Sequence, residues 1–418
     1  MARRVAIRFA TVVGVWLRGQ AARALAAGRN NPGIASVVFA FALSRAMVIA
    51  VLILASAVVV PTPDPESGLY EPDIILHGPA DALAHLQRVV DVGDASWYLV
   101  IATYGYEQAP FDATEQHSWA FFPLYPLLVH IATSISGELQ VTAVVVSNLS
   151  FLLALLLLYR FARQRGFDAC AANRATLYLA IYPSAYFFSL PTTESLFLLV
   201  TVAAFSAACE GRWWLAGASG ALASATRGAG ILVLLGLLIA ALPVLRRNWR
   251  STRLWPRIAG LLLVPLGMGA FMLLLAKDTG NPWAFRDVQA AWSRTTDLSL
   301  AIPALQASLS HPSEISRSWD FKLLNVAATG VALVATAVLA AWRQWDLAVY
   351  TLAGVLLPLS TGSFQAMSRY VMVLFPIFLV LGRFGRHRPV DGLIRVAFPV
   401  LLGLLTAGFA ARFTTAMA

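Results

Sequence analysis

An all-α protein that crosses a membrane many times is what this sequence predicts, and three observations predict it. Of 418 residues, 59% are hydrophobic and 12% charged, about half the charge of an ordinary soluble domain. Apolar runs of roughly 18 residues or more recur along the whole chain, each long enough to span a bilayer. The alternating ten-residue segments of a membrane β-barrel do not occur. A formal net charge of +10 raises nucleic acid as a partner. The basic residues gather instead beside the ends of the apolar runs, where they orient spans in a membrane, so no nucleic-acid partner is expected.

Taken in order, residues 1–33 begin like a signal peptide, but Arg18, Arg23 and Arg29 interrupt the apolar region such a peptide needs. The segment reads as a basic amphipathic helix on the inner leaflet. About eleven spans follow, at 34–61, 139–160, 171–190, 193–210, 213–228, 229–245, 258–276, 321–342, 346–362, 368–383 and 392–411. Short Arg-bearing connections at 160–174, 246–257, 343 and 383–388 alternate to the side of the N-terminus, the inner side by the positive-inside rule. Most acids fall in the other connections, 62–138, 191–193 and 277–320, which are therefore outer. FFPLYPLLVHIATSIS at 121–136 reads as an interfacial or re-entrant helix. As a full span it would move Arg160, Arg163 and Arg165 outside, and two prolines suit the shorter form. No repeat of fixed period is present, so 1–418 reads as one membrane domain with two large outer loops. Cys170 and Cys209 are too few for a disulfide framework or metal site, and both are expected to be buried and inert.

Candidate chemistry gathers on the outer side. Between Asp91 and Pro126 the first outer loop packs acids and aromatics together, side chains suited to a polar, ring-shaped molecule. In a helix, Asp94, Trp97 and Tyr98 share a face. Asp94 is either a general base made more basic by desolvation against those rings, or a helix N-cap; position alone leaves both open. Asp91 lies three residues upstream on the same face. Glu194, in LPTTESLF, is a charge near an apolar core, or a complement to a helix dipole capped by Thr192 or Thr193. Arg227, in SATRGAG, and Arg369, in FQAMSRYVMVLFP, are outer arginines that the positive-inside rule disfavours, so each wants an anionic partner: Glu194, or a ligand phosphate held bidentately. Gln365 and Tyr370 flank Arg369 as substrate-binding candidates. Trp283, in TGNPWAF, is placed either to stack on a sugar or to join the interfacial aromatic belt. The histidines show no zinc spacing. No P-loop or GxGxxG occurs, which argues against nucleotide use.

Six segments, in order, resemble the PIG-V-like family of membrane mannosyltransferases. GDASWYLVIATYGY is similar to the family's WDAxWYxxIAxxGY, AFFPLYPLL matches, and YPSAYFFSLPTTESLF resembles NPxSxFFSxxYTESLF; ATRGAGIL, GNPWAF and SRYVMVLFPIF are similar to its later motifs. Gly93 and Tyr182 stand where the family has Trp and Asn. The resemblance implies a GT-C fold, a polyprenyl-phosphate-linked sugar as donor, mannose as the sugar, and an outer-side catalytic acid at Asp94. It leads to an inverting transferase in which Asp94 is the general base, Arg227 and Arg369 bind the donor phosphate, and Asp91, Trp97, Tyr98, Glu194, Trp283, Gln365 and Tyr370 line the substrate. No metal or other cofactor is expected. Expected partners are the lipid-linked donor, membrane lipid, and a glycan, glycolipid or protein acceptor. The competing classes are a transporter or flippase, against which the absence of a repeat and the one-sided polar groups speak, and a non-catalytic envelope subunit.

Overall fold

Helix dominates because the apolar runs can satisfy their backbone groups within a bilayer in no other open form. The computed structural model describes residues 32–63, 70–74, 79–247, 254–292, 294, 298–311 and 321–412. Nearly all of the N-terminal segment expected to lie on the inner leaflet falls outside them. So do parts of 62–78, 248–253 and 312–320.

The chain is a multi-pass membrane protein. Among the described residues five helices are long and apolar enough to cross a membrane: Pro32–Val58, Leu139–Gln164, the bent pair within Leu254–Thr279, Lys322–Ala341 and Arg388–Ala411. Several expected spans are broken instead. The run 171–190 is a helix at Ala169–Ala180 followed by a 3-10 turn at Ala185–Ser189, interrupted at Pro183, whose missing N–H cannot continue the ladder. The run 229–245 opens as a 3-10 turn at Gly228–Leu232 before Val233–Arg247. The run 368–383 is split into Met367–Met372 and Pro376–Phe384, the second opening on a proline. Glu194–Cys209, Trp213–Thr226 and Trp345–Leu359 are single short helices.

The first long connection, expected to be outer, holds helices Pro79–Val90, Asp94–Tyr104 and Leu124–Ser136. The third is 13 residues long, about 20 Å and too short to cross a bilayer. A feature the periodicity did not predict is an antiparallel ribbon of Val59–Pro63 with Tyr70–Ile74, in register Val59 to Ile74 and Pro63 to Tyr70.

Close packing rests on small residues, since lipid supplies little hydrophobic drive between helices. Gly217 and Gly260 let Trp213–Thr226 and Leu254–Leu263 touch backbone to backbone: a Cβ on Gly217 would strike the Gly260 carbonyl, and one on Gly260 the Trp213 carbonyl.

Arg45 is the charge that the sequence reading passed over. It lies mid-way along Pro32–Val58, 3% exposed. Its guanidinium donates to the carbonyls of Ala180 (3.1 Å) and Ala185 (2.8 Å) and to Ser189 Oγ (3.0 Å), and sits 4.9 Å from the Phe151 ring. The break after Ala180 frees carbonyls at a helix C-terminus, where a cation is favoured. Arg45 thereby fixes the irregular segment that leads to Glu194.

The two ends of the bundle differ. Glu194 and Glu210 flank one 16-residue helix, so they stand about 24 Å apart. At the Glu210 end, Arg160 (2.6 Å) and Arg212 (3.5 Å) pair with Glu210, and Arg165 grips both oxygens of Asp346 at 2.8 Å. Cys170 and Cys209 are exposed at this end, contrary to expectation. Each lies in the terminal turn of its helix, beyond the packed middle.

Candidate active site

Four charged side chains meet at the opposite end. Asp94 opens Asp94–Tyr104, Glu194 opens Glu194–Cys209, Arg227 follows Trp213–Thr226, and Arg369 lies in Met367–Met372. Arg369 joins the two acids: Nη1 lies 2.6 Å from Asp94 Oδ2, while Nε and Nη2 each lie 2.7 Å from Glu194 Oε1. Arg227 Nη1 donates to the same Glu194 oxygen at 2.7 Å. The result is a continuous chain, Asp94–Arg369–Glu194–Arg227, with formal charges that cancel.

Exposure grades along that chain. The Glu194 side chain is 0% exposed, Arg369 14%, Arg227 17% and Asp94 42%. Glu194 is therefore the buried anchor and Asp94 the member open to a reactant. All three nitrogens of Arg369 are engaged with carboxylates, and its guanidinium lies 4.2 Å from the Phe187 ring. Arg227 gives only Nη1 to Glu194, keeping further N–H groups for another anion, with the Tyr370 ring 5.7 Å away. Of the two arginines expected at the donor phosphate, Arg227 therefore has donors to spare, whereas Arg369 spends its three nitrogens on the acids.

The Met367–Met372 helix is itself fixed by a buried polar network. Ser368 N–H donates to Asn325 Oδ1 at 2.8 Å, and Ser184 Oγ lies 2.7 Å from Ser368 Oγ. Entry to this helix is through Ala366 at φ 60°, a left-handed backbone that side chains resist. Asp94 is the first helical residue, with Gly93 in the capping position and no side-chain cap, so the N-cap reading of Asp94 does not hold. Thr193 likewise occupies the capping position before Glu194 without a side-chain capping bond, its hydroxyl accepting instead from Tyr98 at 3.5 Å.

The aromatic neighbours take other partners than expected. Trp97 stacks on Phe121 at 5.5 Å and meets Trp292 edge-on at 6.1 Å. Tyr98, 7% exposed, packs edge-on against Phe121 and Tyr125. Asp94 contacts a guanidinium where desolvation against rings was expected. Trp292, which like Trp283 was weighed for stacking on a sugar or for the interfacial belt, instead meets Trp97 and Phe121, a ring from the aromatic-rich stretch 91–126.

Asp91 does not share the Asp94 face. It lies in the turn before that helix, 3.4 Å from Gln140 Nε2, and burial pushes its carboxyl above the usual range while the Gln140 contact opposes this. Trp283 is 44% exposed, with Arg286 5.2 Å from its ring, and Gln365 is exposed in the turn before Ala366. Among the described residues no contact joins either to the four charges. Nor do three His, Cys, Asp or Glu side chains assemble as a metal-ligand set among the described residues.

The family profile described as mannosyltransferase (PIG-V) matches residues 34–251, more than half of the chain. This chain belongs to the PIG-V mannosyltransferase family. The matched stretch carries Asp94, Glu194 and Arg227, and Arg369 joins them from beyond it. Comparison with curated protein sequences found no match. Solved structures similar to this PIG-V family member include an Archaeoglobus fulgidus oligosaccharyltransferase tethered to an acceptor peptide, at 11% identity and TM-score 0.42, over 87% of this chain and 55% of that one. ArnT from Cupriavidus metallidurans in the apo state aligns at 13% identity and TM-score 0.48, over 90% and 77%. ArnT bound to undecaprenyl phosphate aligns at 15% and 0.39, over 90% and 76%. The chain spans about half the length of the oligosaccharyltransferase.

Proposed function

We propose that this chain is an inverting glycosyltransferase that moves a sugar, mannose, from a polyprenyl-phosphate donor to an acceptor hydroxyl on the extracytoplasmic side. Family membership supports sugar transfer. The observation that carries the mechanism is the half-exposed Asp94 carboxylate, held at 2.6 Å by an arginine that is itself anchored on buried Glu194.

In this reading one oxygen of Asp94 stays on Arg369 while the other faces the acceptor. As the acceptor oxygen attacks the anomeric carbon, its proton passes to Asp94. The bond from that carbon to the phosphate oxygen breaks on the opposite face, and the electron pair leaves with the lipid phosphate. Arg227 offers its uncommitted N–H groups to the charge growing on that phosphate, the kind of preorganised stabilisation that contributes most to such reactions. Arg369 and Glu194 act through the other two: they fix Asp94 and Arg227 in place. With guanidinium charge at the leaving group, turnover is expected to be insensitive to chelators. Arginines at the Glu210 end support an inner location for that end, and so an outer location for the four charges.

The test is transfer from defined polyprenyl-phosphate sugars by purified protein, with and without added acceptors. Asp94→Asn should lower turnover by about a thousandfold, the middle of the range for a single positioned proton-transfer group, while the donor still binds. Near-normal transfer by that variant would remove Asp94 from the chemistry.

A further inference from the structure

At the Glu210 end the arginines take different kinds of partner. Arg160, Arg165 and Arg212 are matched to Glu210 and Asp346. Arg174, Arg383 and Arg386 line a cavity of about 210 Å³ with the Gly166–Asp168 turn and Ala171. Among the described residues none of these three forms an ion pair with an acid.

Their contacts hold them without neutralising them. Arg174 Nε donates to the Gly382 carbonyl at 2.8 Å, Arg383 lies 4.7 Å from the Trp342 ring, and Arg386 Nε donates to His387 Nε2 at 3.2 Å. The nearby acids bond to other groups, although Asp391 also feels the charge of Arg174. Asp168 Oδ1 accepts from the Ala171 N–H at 2.7 Å as the cap of Ala169–Ala180, and Asp391 accepts from Tyr178 (2.5 Å) and Arg395 (2.7 Å). The N-terminus of Ala169–Ala180 opens on the same cavity and adds its partial positive charge. The wall is firm. A Cβ on Gly382 would press on Ala171 and Ala175, and one on Gly385 would strike Tyr178 and Arg174, so small residues leave the space in which Arg174 lies.

Membrane orientation accounts for arginines at this end, but not for the convergence of three on one hollow whose rim carries a single acid, Asp168, with an ion pair to none of them among the described residues. We propose that this cavity binds a phosphate group, either the headgroup phosphate of an anionic lipid in the adjoining leaflet or a soluble phosphate. The volume is that of about seven waters, enough for one phosphate with part of its hydration. Guanidinium N–H pairs match phosphate oxygens bidentately. The site is separate from the sugar-transfer reading and stands without it.

The full-length protein in detergent, stripped of lipid, is titrated with phosphatidylglycerol, with phosphatidylcholine, and with inorganic phosphate. Bound lipid is counted by native mass spectrometry and stabilisation is read from thermal melts. Two paired variants are compared, Arg383→Gln with Arg386→Gln, and Arg160→Gln with Arg212→Gln; all four side chains are surface ones. Phosphatidylglycerol is expected to bind at least tenfold tighter than phosphatidylcholine. The first pair should remove about tenfold of that preference and the second pair little of it. Stabilisation by inorganic phosphate alone, lost in the first pair, assigns the site to a soluble phosphate; binding of phosphatidylglycerol without it assigns a lipid. Equal losses from both pairs, or no binding of either phosphate form, would overturn the proposal.

Discussion

Glu194 Oε1 accepts from two arginines inside a site that excludes water from the carboxylate. Removing one partner of a buried ion pair costs about 3–5 kcal/mol, because the remaining charge stays buried and uncompensated. Glu194→Gln should therefore lower the melting temperature in detergent far more than Asp94→Asn, whose carboxylate is nearly half exposed. Arg227→Lys should keep the fold but weaken donor binding about tenfold or more, since an ammonium cannot hold Glu194 and a phosphate with the same planar fork; an unchanged donor KM would show that Arg227 does not reach the phosphate. Glu194, Arg227 and Arg369 were legible in the sequence because each is a charge where apolar or neutral residues were expected, and Asp94 because its segment resembles a family motif. Their pairing was only half legible. Glu194 was weighed as a partner for Arg227, but no spacing rule links Arg369 to Asp94 across 275 positions.

Helices long enough to span were read closely, to within a few residues for Pro32–Val58 and Leu139–Gln164. The broken ones were not, because hydropathy counts apolar residues and is blind to where tertiary contacts replace backbone hydrogen bonds. Arg45 shows the mechanism: it stabilises free carbonyls at Ala180 and Ala185 from another helix. Arg45→Met should leave those carbonyls without their charged donor, at about 1–3 kcal/mol each. The expected result is a lower melting temperature and loss of transfer together, whereas Arg45→Lys should recover part of both. The connection after Leu266–Thr279 offers a pH test. Asp287 accepts from Asn281 (3.0 Å) and Arg286 (2.8 Å). Burial opposes its ionisation, but those hydrogen bonds and the Arg286 charge outweigh it and hold the carboxyl below the usual value. A depressed folded-state value means the contribution is complete above the unfolded value near 4 and fades as pH falls through the folded one. Hydrogen exchange in residues 281–287 should thus be faster in Asp287→Asn than in the parent at pH 7, with the difference shrinking on acidification below pH 4.

For the molecule as a whole, the charged quartet and the arginine-lined cavity sit at opposite ends of the bundle. Cys170 and Cys209 mark the cavity end and are exposed. A membrane-impermeant thiol reagent should modify them in inverted vesicles and spare them in intact cells; the reverse pattern would place the quartet in the cytoplasm. The neutral sum of Asp94, Arg369, Glu194 and Arg227 also bears on turnover. In the proposed reaction a phosphodiester donor would enter carrying one negative charge and depart as a phosphomonoester carrying two, while Asp94 would take up a proton, so the pocket's total would be unchanged through the chemical step. Loss of that proton to water would return the quartet to a zero sum beside a carrier with two charges, and so loosen its hold on the spent carrier.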